Sequence, residues 1–429
     1  ASQAGVCERE ERWRACLTTR RAMVNEDETN ESGMEAFPSE GGDQAPSRLN
    51  IPRNPAVTAP ENRMRNPNKF GLMRKESFGV PRIKNHTELL KGMFEKKQLP
   101  PGMTSLKEKE AAMFHTSGAN TGAFPGTNVP SMKSFEALPW GDYFEVKKNV
   151  EVASGKDGTK LSFNMYTTGE ASEDRPLVYC IHGGGYTGLT WALLAKKLRD
   201  KYTIAALDLR SHGESSQSED YSIEALAKDV TLVWQECFGS TKPKTVLLGH
   251  SLGGAIAIHA SSLESIPSLA GTIVIDVVEG TAMASLPYMQ QVINKRPKTF
   301  KGVEEFVKYA YSSGLTKNFE AARVSASSQV KKNPGTSEYA WITDLMATEP
   351  FWKEWYQGLS ARFLKVPAPK LLLLAGTDRL DKDLTIGQMQ GKFQMKVLPA
   401  GHAIQEDEPD KTAEAVDDFI TRFQTQVVQ

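Results

Sequence analysis

The sequence has little cysteine and no long apolar run, and each shortage excludes a class of protein. Four of its 429 residues are cysteine. None of the four stands in a C-x-x-C pair or in a spacing typical of a metal site, so we expect no metal centre and no cofactor held by one. So few cysteines fit a reducing compartment. No stretch of about 18 apolar residues occurs, so the sequence predicts no membrane span.

The chain also lacks an excess of either charge. Lysine plus arginine and aspartate plus glutamate both number 52, which gives a net charge of zero. A general nucleic-acid partner, which would require a strongly basic surface, is therefore not expected. The first residues mix glutamate with arginine and contain no apolar run, unlike a signal or transit peptide. We therefore expect a cytosolic or nuclear protein.

The first third of the sequence is poor in apolar residues. Hydrophobic residues make up 39% of the whole chain, below the roughly 45–50% of typical globular domains. Residues 1–134 contain 11 of the 23 prolines and no sustained apolar period. We predict a largely disordered N-terminal extension over 1–134, to which we assign no function, and a folded domain over 135–429.

From residue 135 onward, short apolar runs alternate with helical stretches. Residues 177–182, 203–208 and 245–249 read as buried strands, and residues 223–238 read as an amphipathic helix. This alternation predicts an α/β fold with a mostly parallel sheet and helices on both faces. Functional sites in such sheets lie at the carboxyl ends of the strands. The segment from about residue 281 to about residue 360 interrupts the alternation, and we interpret it as a helical cap.

A serine stands in the turn between one of these strands and the next helix. Gly249-His250-Ser251-Leu252-Gly253 matches the pattern G-x-S-x-G, in which small neighbours allow strand and helix to approach closely. Short patterns of this kind also occur in ordinary glycine-rich turns. The strand before Ser251 and the helix after it favour the nucleophile elbow of an α/β-hydrolase, with the Leu252 N–H as one donor to the oxyanion.

A second glycine-rich loop follows the strand at 177–182. Its residues 182–185 read His-Gly-Gly-Gly, a composition typical of loops that supply the other backbone donor of an oxyanion hole. We predict the Gly184 N–H as that donor, with Gly185 as the alternative. A flexible surface loop is the competing interpretation. We expect His182 to brace the loop rather than to transfer protons.

The general base follows from the order of residues along the chain. Hydrolases of this fold place the serine first, then the acid, then the histidine. Two of the seven histidines follow Ser251, namely His259 and His402. His259 lies in the helix that starts at the elbow, too near Ser251 to reach back. The sequence therefore predicts His402, in a loop after the last strand, as the base.

Two aspartates could complete the triad. Asp276 and Asp378 each follow an apolar run that reads as a strand, and either could orient the imidazole. Most enzymes of this fold take the acid from the later strand, which favours Asp378. The pattern of residues alone leaves the choice open.

Several longer segments resemble one family. Residues 206–214 read Ala-Leu-Asp-Leu-Arg-Ser-His-Gly-Glu, residues 275–283 read Ile-Asp-Val-Val-Glu-Gly-Thr-Ala-Met, and the longest similar segment spans 371–393. Together with the elbow, these segments are similar to protein phosphatase methylesterase 1. The resemblance covers roughly residues 134–424.

The resemblance implies a function and a triad. Members of that family are serine esterases that remove the methyl ester from the C-terminal leucine of the protein phosphatase 2A catalytic subunit, which would be the partner of this chain. Their triad corresponds to Ser251, Asp276 and His402. The resemblance thus selects Asp276 and leaves Asp378 to brace a nearby loop. Other interpretations are an esterase of small molecules or lipids and a non-catalytic protein that binds the phosphatase.

The cap should supply the substrate-binding surface. Its aromatic and apolar residues should mostly pack onto the sheet, and some should line a channel for a peptide that ends in an apolar side chain. Lys295, Arg296, Lys298 and Lys301 cluster in sequence, and we predict that Arg296 and Lys298 bind an acidic tail or partner. A solvated charged face is the alternative. A long acidic loop, frequent in the family within this region, is absent from this sequence.

Overall fold

The computed structural model describes residues 135–376 and 380–426. The predicted N-terminal extension at 1–134 lies outside the described residues, and so does Asp378. No helix in the described part of the chain is long and apolar enough to cross a membrane.

The described strands form one large sheet and one small one. The large sheet has eight strands in the order β1-β2-β4-β3-β5-β6-β10-β11, and the small sheet has three in the order β7-β9-β8. The strands are β1 Val146–Val152, β2 Leu161–Thr168, β3 Leu177–Ile181, β4 Thr203–Leu207, β5 Thr245–His250, β6 Leu269–Ile275, β7 Thr299–Phe300, β8 Val330–Lys332, β9 Tyr339–Trp341, β10 Lys370–Leu374 and β11 Gln394–Val397.

Six neighbouring strands of the large sheet run parallel. The parallel pairs are β4 with β3, β3 with β5, β5 with β6, β6 with β10, and β10 with β11. The first two strands form an antiparallel hairpin, and β2 joins β4 antiparallel. Strands β3, β4 and β5 are buried along their whole length, as expected for strands covered on both faces. The predicted mostly parallel sheet is confirmed.

Helices cover both faces of the large sheet and build the cap. They are α1 Ala192–Leu198, α2 Ile223–Phe238, α3 Leu252–Ser262, α4 Glu279–Lys295, α5 Val303–Ser312, α6 Phe319–Ser325, α7 Trp352–Tyr356, α8 Leu359–Lys365, α9 Lys382–Met389, α10 Ile404–Asp407 and α11 Pro409–Gln426.

The core lies in two layers, one on each face of the large sheet. Successive residues of β3 point to opposite faces, so Tyr179 belongs to one layer and Cys180 to the other. Trp234 of α2 fills the first layer, and Trp191 and Phe419 fill the second. Each large apolar side chain buried in this way contributes about 1.5–3 kcal/mol of transfer free energy. The sheet is therefore a rigid platform for the loops at its carboxyl edge.

The cap occupies the chain between β6 and β10. It contains helices α4 to α8, as predicted, and also the small antiparallel sheet. That sheet was not predicted, because strands of two or three residues are too short to show an alternating pattern. Between β8 and β9 the chain closes a short turn, in which the Asn333 N–H donates to the Glu338 carbonyl at 2.8 Å. This turn connects the strands directly, without an acidic loop.

Candidate active site

Ser251 occupies a strained turn at the carboxyl edge of the sheet. Strand β5 ends one residue before it and helix α3 begins one residue after it. Its backbone angles are φ 53° and ψ −122°, a region that non-glycine residues rarely adopt. The turn is crowded: a Cβ built on Gly249 would lie 2.1 Å from the Gly253 carbonyl oxygen, and one built on Gly253 would lie 2.2 Å from the Ile181 oxygen. Both glycines are therefore required for strand and helix to pack this closely.

The glycine-rich loop after β3 is held by a histidine from another loop. The Gly185 N–H donates to His212 Nε2 at 3.0 Å, so it is not available to a substrate. The Gly184 N–H has no hydrogen-bond partner among the described residues. The Leu252 N–H also lacks an intrahelical acceptor, because Leu252 is the first residue of α3. The geometry thus favours Gly184 over Gly185 as the second oxyanion donor, which stays a prediction.

The two imidazoles that hold this loop, those of His182 and His212, are both neutral. His182 Nε2 accepts the Leu209 N–H at 2.9 Å, and its Nδ1 lies 2.8 Å from the Gly183 oxygen. Burial lowers the pKa of His182 well below its usual value, and burial lowers the pKa of His212 to about 4. Each ring therefore keeps an unprotonated nitrogen as an acceptor at neutral pH. His182 braces the loop in this way.

The structure brings Asp276 and His402 together. Asp276 directly follows β6, and His402 Nδ1 lies 2.8 Å from its Oδ2. The Ala375 N–H donates to Oδ1 at 3.1 Å, so the carboxylate, whose residue is only 2% exposed, is held from two sides. A buried carboxylate in this position fixes the tautomer of the imidazole and stabilises its protonated form. Asp378 lies outside the described residues. The contact with His402 favours Asp276 as the acid of the triad.

His250 also contacts the loop that carries His402. Its Nε2 lies 2.9 Å from the His402 carbonyl oxygen, and the centroids of the two rings are 4.8 Å apart with their planes tilted by 52°. Burial, with a smaller contribution from the nearby His402, lowers the pKa of His250 to about 3. The ring is thus neutral, and its Nε2–H donates to that carbonyl. Nothing in the sequence indicates this contact, which joins residues 152 positions apart.

Asp407 ties the same loop to the cap. Its Oδ2 accepts the Gly401 N–H at 2.6 Å, and its Oδ1 accepts the Lys317 N–H at 2.7 Å. Gly401 precedes His402, and Lys317 lies between α5 and α6 of the cap. Sequence reasoning missed Asp407, whose only signal is its position five residues after His402. The contact shows that the position of His402 depends on the cap as well as on the sheet.

All the predicted catalytic and oxyanion residues line one cavity beneath the cap. Its volume is about 460 Å³. The residues that meet there from four separate segments are Gly184, Ser251, Leu252, Asp276 and His402. Within the described residues, no group of three or more His, Cys, Asp or Glu side chains is arranged to hold a metal ion.

The cap provides an apolar and aromatic wall of this cavity. Met289 of α4 lies in this wall, as do Trp352, Trp355 and Tyr356 of α7. Tyr356 neighbours the Ser251 side chain, and burial raises the pKa of its hydroxyl against the smaller opposing effect of that neighbour. Part of the cap's aromatic surface thus faces the cavity, in agreement with the predicted channel.

Known proteins similar to this chain are consistent with these observations. A family model described as "Alpha/beta hydrolase family" matches residues 178–415. Protein phosphatase methylesterase 1 of Rattus norvegicus is 42% identical over 353 residues, which cover 71% of this chain and 90% of the rat protein. The Homo sapiens protein of that name has the same identity and coverage, 42%, 71% and 90%.

The chain belongs to the protein phosphatase methylesterase 1 family. A Caenorhabditis elegans relative named probable protein phosphatase methylesterase 1 is 44% identical over 305 residues, covering 70% of this chain and 81% of its own length. Family and fold together confirm the prediction of an α/β-hydrolase enzyme.

More distant solved structures share the fold of this methylesterase family member. The crystal structure of E-2-(acetamidomethylene)succinate hydrolase matches with a TM-score of 0.53 at 20% identity and covers 64% of this chain and 100% of that one. A peroxisomal alpha-beta-hydrolase from Saccharomyces cerevisiae matches with a TM-score of 0.52 at 16% identity and covers 66% of this chain and 91% of that one. At such identities the likeness shows the fold alone.

The two predicted substrate-binding cations of this methylesterase family member lie in different places. Arg296 lines the cavity, and its guanidinium lies 5.1 Å from the centre of the Trp341 ring. Lys298 is exposed and is not among the described residues that line the cavity. The structure therefore brings Arg296, but not Lys298, to the site.

Proposed function

We propose that this protein removes the methyl ester from the C-terminal leucine of the protein phosphatase 2A catalytic subunit. The observation that carries the proposal is the 2.8 Å contact between His402 and Asp276, in a cavity that Ser251 also lines. That arrangement supports nucleophilic ester cleavage. The names of the relatives, protein phosphatase methylesterase 1, supply the class of substrate.

In the first step, His402 takes the proton of the Ser251 hydroxyl, and the serine oxygen attacks the ester carbonyl carbon. Asp276 holds the imidazole in the required tautomer and stabilises the imidazolium that forms. Negative charge develops on the carbonyl oxygen, and the N–H groups of Leu252 and Gly184 bind it. Preorganised donors of this kind are each worth about 3–4 kcal/mol of transition-state stabilisation. His402 then protonates the leaving oxygen, and methanol departs.

In the second step, water enters the cavity and hydrolyses the acyl-enzyme. His402 takes a proton from this water, and the hydroxide oxygen adds to the acyl carbon. The bond to the Ser251 oxygen breaks, and that oxygen takes back the proton from His402. The products are the free C-terminal carboxylate and the regenerated serine. No cofactor is needed to balance either step.

The cavity suits a peptide that ends in an apolar residue. A leucine side chain beside the reacting carbonyl would pack against the wall formed by Met289, Trp352 and Trp355. Burying such a side chain contributes about 1.5–3 kcal/mol. The apolar contact would position the ester and would favour leucine over polar terminal residues.

The decisive experiment follows the methyl ester of the intact phosphatase subunit. Phosphatase 2A catalytic subunit carrying a radiolabelled methyl ester is incubated with the purified protein, and released methanol is counted. We expect complete release with the wild type and none with Ser251→Ala. Hydrolysis of simple aryl esters without methanol release from the phosphatase would indicate a small-molecule esterase. Binding of the phosphatase without labelling of Ser251 by a fluorophosphonate probe would indicate a non-catalytic binder.

A further inference from the structure

The cavity beneath the cap carries more positive than negative charge. Among its described lining residues, full charges belong to Asp276, Arg296 and Lys317, apart from the titratable His402. The carboxylate of Asp276 is already engaged by His402 and by a backbone N–H. The two cations thus line a cavity in which the one carboxylate among the described lining residues is already hydrogen-bonded.

Arg296 is fixed in place but has no counterion. It follows the last residue of α4, and its N–H donates to the Ile293 carbonyl at 3.2 Å. Its guanidinium lies over the ring of Trp341, whose Nε1–H donates to the Pro297 carbonyl at 2.9 Å and thereby holds the ring. No carboxylate forms an ion pair with Arg296 among the described residues.

A cation in such surroundings gains from binding an anion. Burial lowers the pKa of the Arg296 guanidinium, and its titratable neighbours, Tyr186 and Tyr309, are neutral phenols. A guanidinium nevertheless stays protonated in proteins. It has lost much of its water without gaining a charged partner, so a carboxylate that enters the cavity finds a strong and preorganised hydrogen-bond donor.

Lys317 places a second positive charge beside the loop of His402. A Cβ built on Gly401 would lie 3.7 Å from Lys317 Nζ, and the residue is exposed. The carboxylate of Asp407 accepts its backbone N–H and partly offsets its charge. Lys317 therefore adds to the positive potential of the cavity but is a weaker anion site than Arg296.

We propose that Arg296 forms an anion subsite that binds a carboxylate side chain in the segment preceding the esterified residue. The enzyme would then be selective for methyl esters at the end of acidic segments. This inference rests on the proposed function. The carboxylate of the product is a less suitable occupant, because it forms at Ser251, where the Leu252 and Gly184 N–H groups face it. Arg296 instead lies among Tyr186, Tyr309 and Trp341.

The test compares peptide methyl esters that differ by one charge. Peptides ending in leucine methyl ester carry a single aspartate at each of the four preceding positions in turn, with asparagine at the same position as the matched peptide. With the wild type, kcat/KM for one aspartate position should exceed that of its asparagine partner by about tenfold, the scale of one charge-assisted hydrogen bond. The gain should appear in KM and should shrink as salt is raised.

Variants then assign the effect to Arg296. Arg296→Met should abolish the preference, so that kcat/KM for the aspartate peptide falls to the value of its asparagine partner measured on the same variant. Arg296→Lys should retain part of the preference. Lys298→Ala, which removes a nearby cation outside the cavity, should keep the full preference. Aryl-ester hydrolysis by Arg296→Met checks that the variant is folded.

Other results would overturn the inference. Equal rates for every aspartate and asparagine pair with the wild type would do so, and so would a preference that persists in Arg296→Met. If Arg296→Met weakens only inhibition by the free peptide acid, the subsite belongs to the product carboxylate and the inference is wrong. Failure of the wild type to release methanol from the methylated phosphatase subunit, while aryl esters are cleaved, would instead reject the proposed function, and this subsite with it.

Discussion

At the scale of single residues, Asp276 determines which nitrogen of His402 faces the serine. The amide of asparagine is neutral, so it cannot stabilise an imidazolium, and its NH2 group can donate to Nδ1 and favour the wrong tautomer. We therefore expect Asp276→Asn to lower kcat by about 10³–10⁴-fold with a smaller change in KM. Steady-state hydrolysis of a peptide leucine methyl ester measures both constants.

The matched variant for this prediction is Asp378→Asn, the other carboxylate that the residue pattern allows. It should retain activity within a few-fold of wild type. Loss of activity in Asp378→Asn but not in Asp276→Asn would show that the triad proposed above is incorrect. Both proteins should be checked for a normal melting temperature, because Asp276 also accepts the Ala375 N–H.

The residues that act through sequence-local patterns could be predicted, and those that act through distant contacts could not. Ser251 stands in its own motif, and His402 follows from the order of the triad. His250 and Asp407 position the His402 loop through the fold, over separations such as the 90 residues between Lys317 and Asp407. A single sequence has no pattern for contacts of this kind, since they depend on how the cap and sheet pack.

At the scale of elements, the glycine-rich loop depends on two neutral imidazoles. His212 has its folded-state pKa lowered to about 4, against about 6.5 for an unfolded chain. Below pH 6.5 the unfolded state therefore binds a proton that the folded state does not. The contribution of this histidine to stability is complete above pH 6.5 and is lost as the pH falls toward 4.

We expect this effect to be visible in the His212→Gln variant. Glutamine can accept the Gly185 N–H through its amide oxygen but does not titrate, so its free energy of unfolding should fall less steeply between pH 6.5 and 4. The difference in slope should approach one proton, or about 1.4 kcal/mol per pH unit. Urea unfolding at several pH values measures it, and parallel slopes for the two proteins would contradict the assignment.

Two buried acids act in the opposite direction and make the variant comparison necessary. Burial raises the pKa of Glu406 to about 7 and that of Asp208 to about 6. Between their unfolded and folded pKa values, the folded state binds more protons than the unfolded state, so these acids lose stabilising effect as the pH rises. The wild-type pH profile is a sum of both kinds of group, and only the difference between variants isolates His212.

The elements themselves were predictable where they are long. The helix predicted over 223–238 has the observed bounds of α2, because its apolar residues recur at helical spacing and Ser222 caps its first turn. Strands β7 to β9 could not be predicted because two or three residues are too few to show an alternating pattern. Burial on both faces makes the parallel strands recognisable as continuous apolar runs.

At the scale of the whole molecule, the described part of the chain begins with residues that belong to the core. Phe135 is 2% exposed and packs with cap residues, and the Tyr143 hydroxyl donates to Glu320 of α6 at 2.8 Å. The Leu138 N–H donates to the Arg323 carbonyl at 3.0 Å. The segment at 135–144 thus ties the cap to the sheet.

This predicts where the chain can be shortened. Removal of residues 1–133 should leave kcat/KM for a peptide methyl ester within about twofold of the full chain. Removal of residues 1–145 should lower the melting temperature by several degrees, since it deletes buried aromatic side chains worth about 1.5–3 kcal/mol each. Loss of activity in the shorter deletion would show that the N-terminal extension contributes to catalysis.

The cytosolic or nuclear location stays a prediction that imaging of a tagged chain would check.

The left-handed backbone at Ser251 has a consequence for evolution of the fold. A φ of 53° at a residue with a Cβ costs about 1–3 kcal/mol, and glycine would adopt it without strain. Both Ser251→Gly and Ser251→Ala lack the hydroxyl, but only alanine keeps the Cβ. The melting temperature of Ser251→Gly should therefore lie a few degrees above that of Ser251→Ala, as calorimetry would show. The opposite order would mean that the turn is relaxed. Selection for thermal stability alone would thus remove the nucleophile, so the serine marks a position where activity has been kept against the preference of the fold.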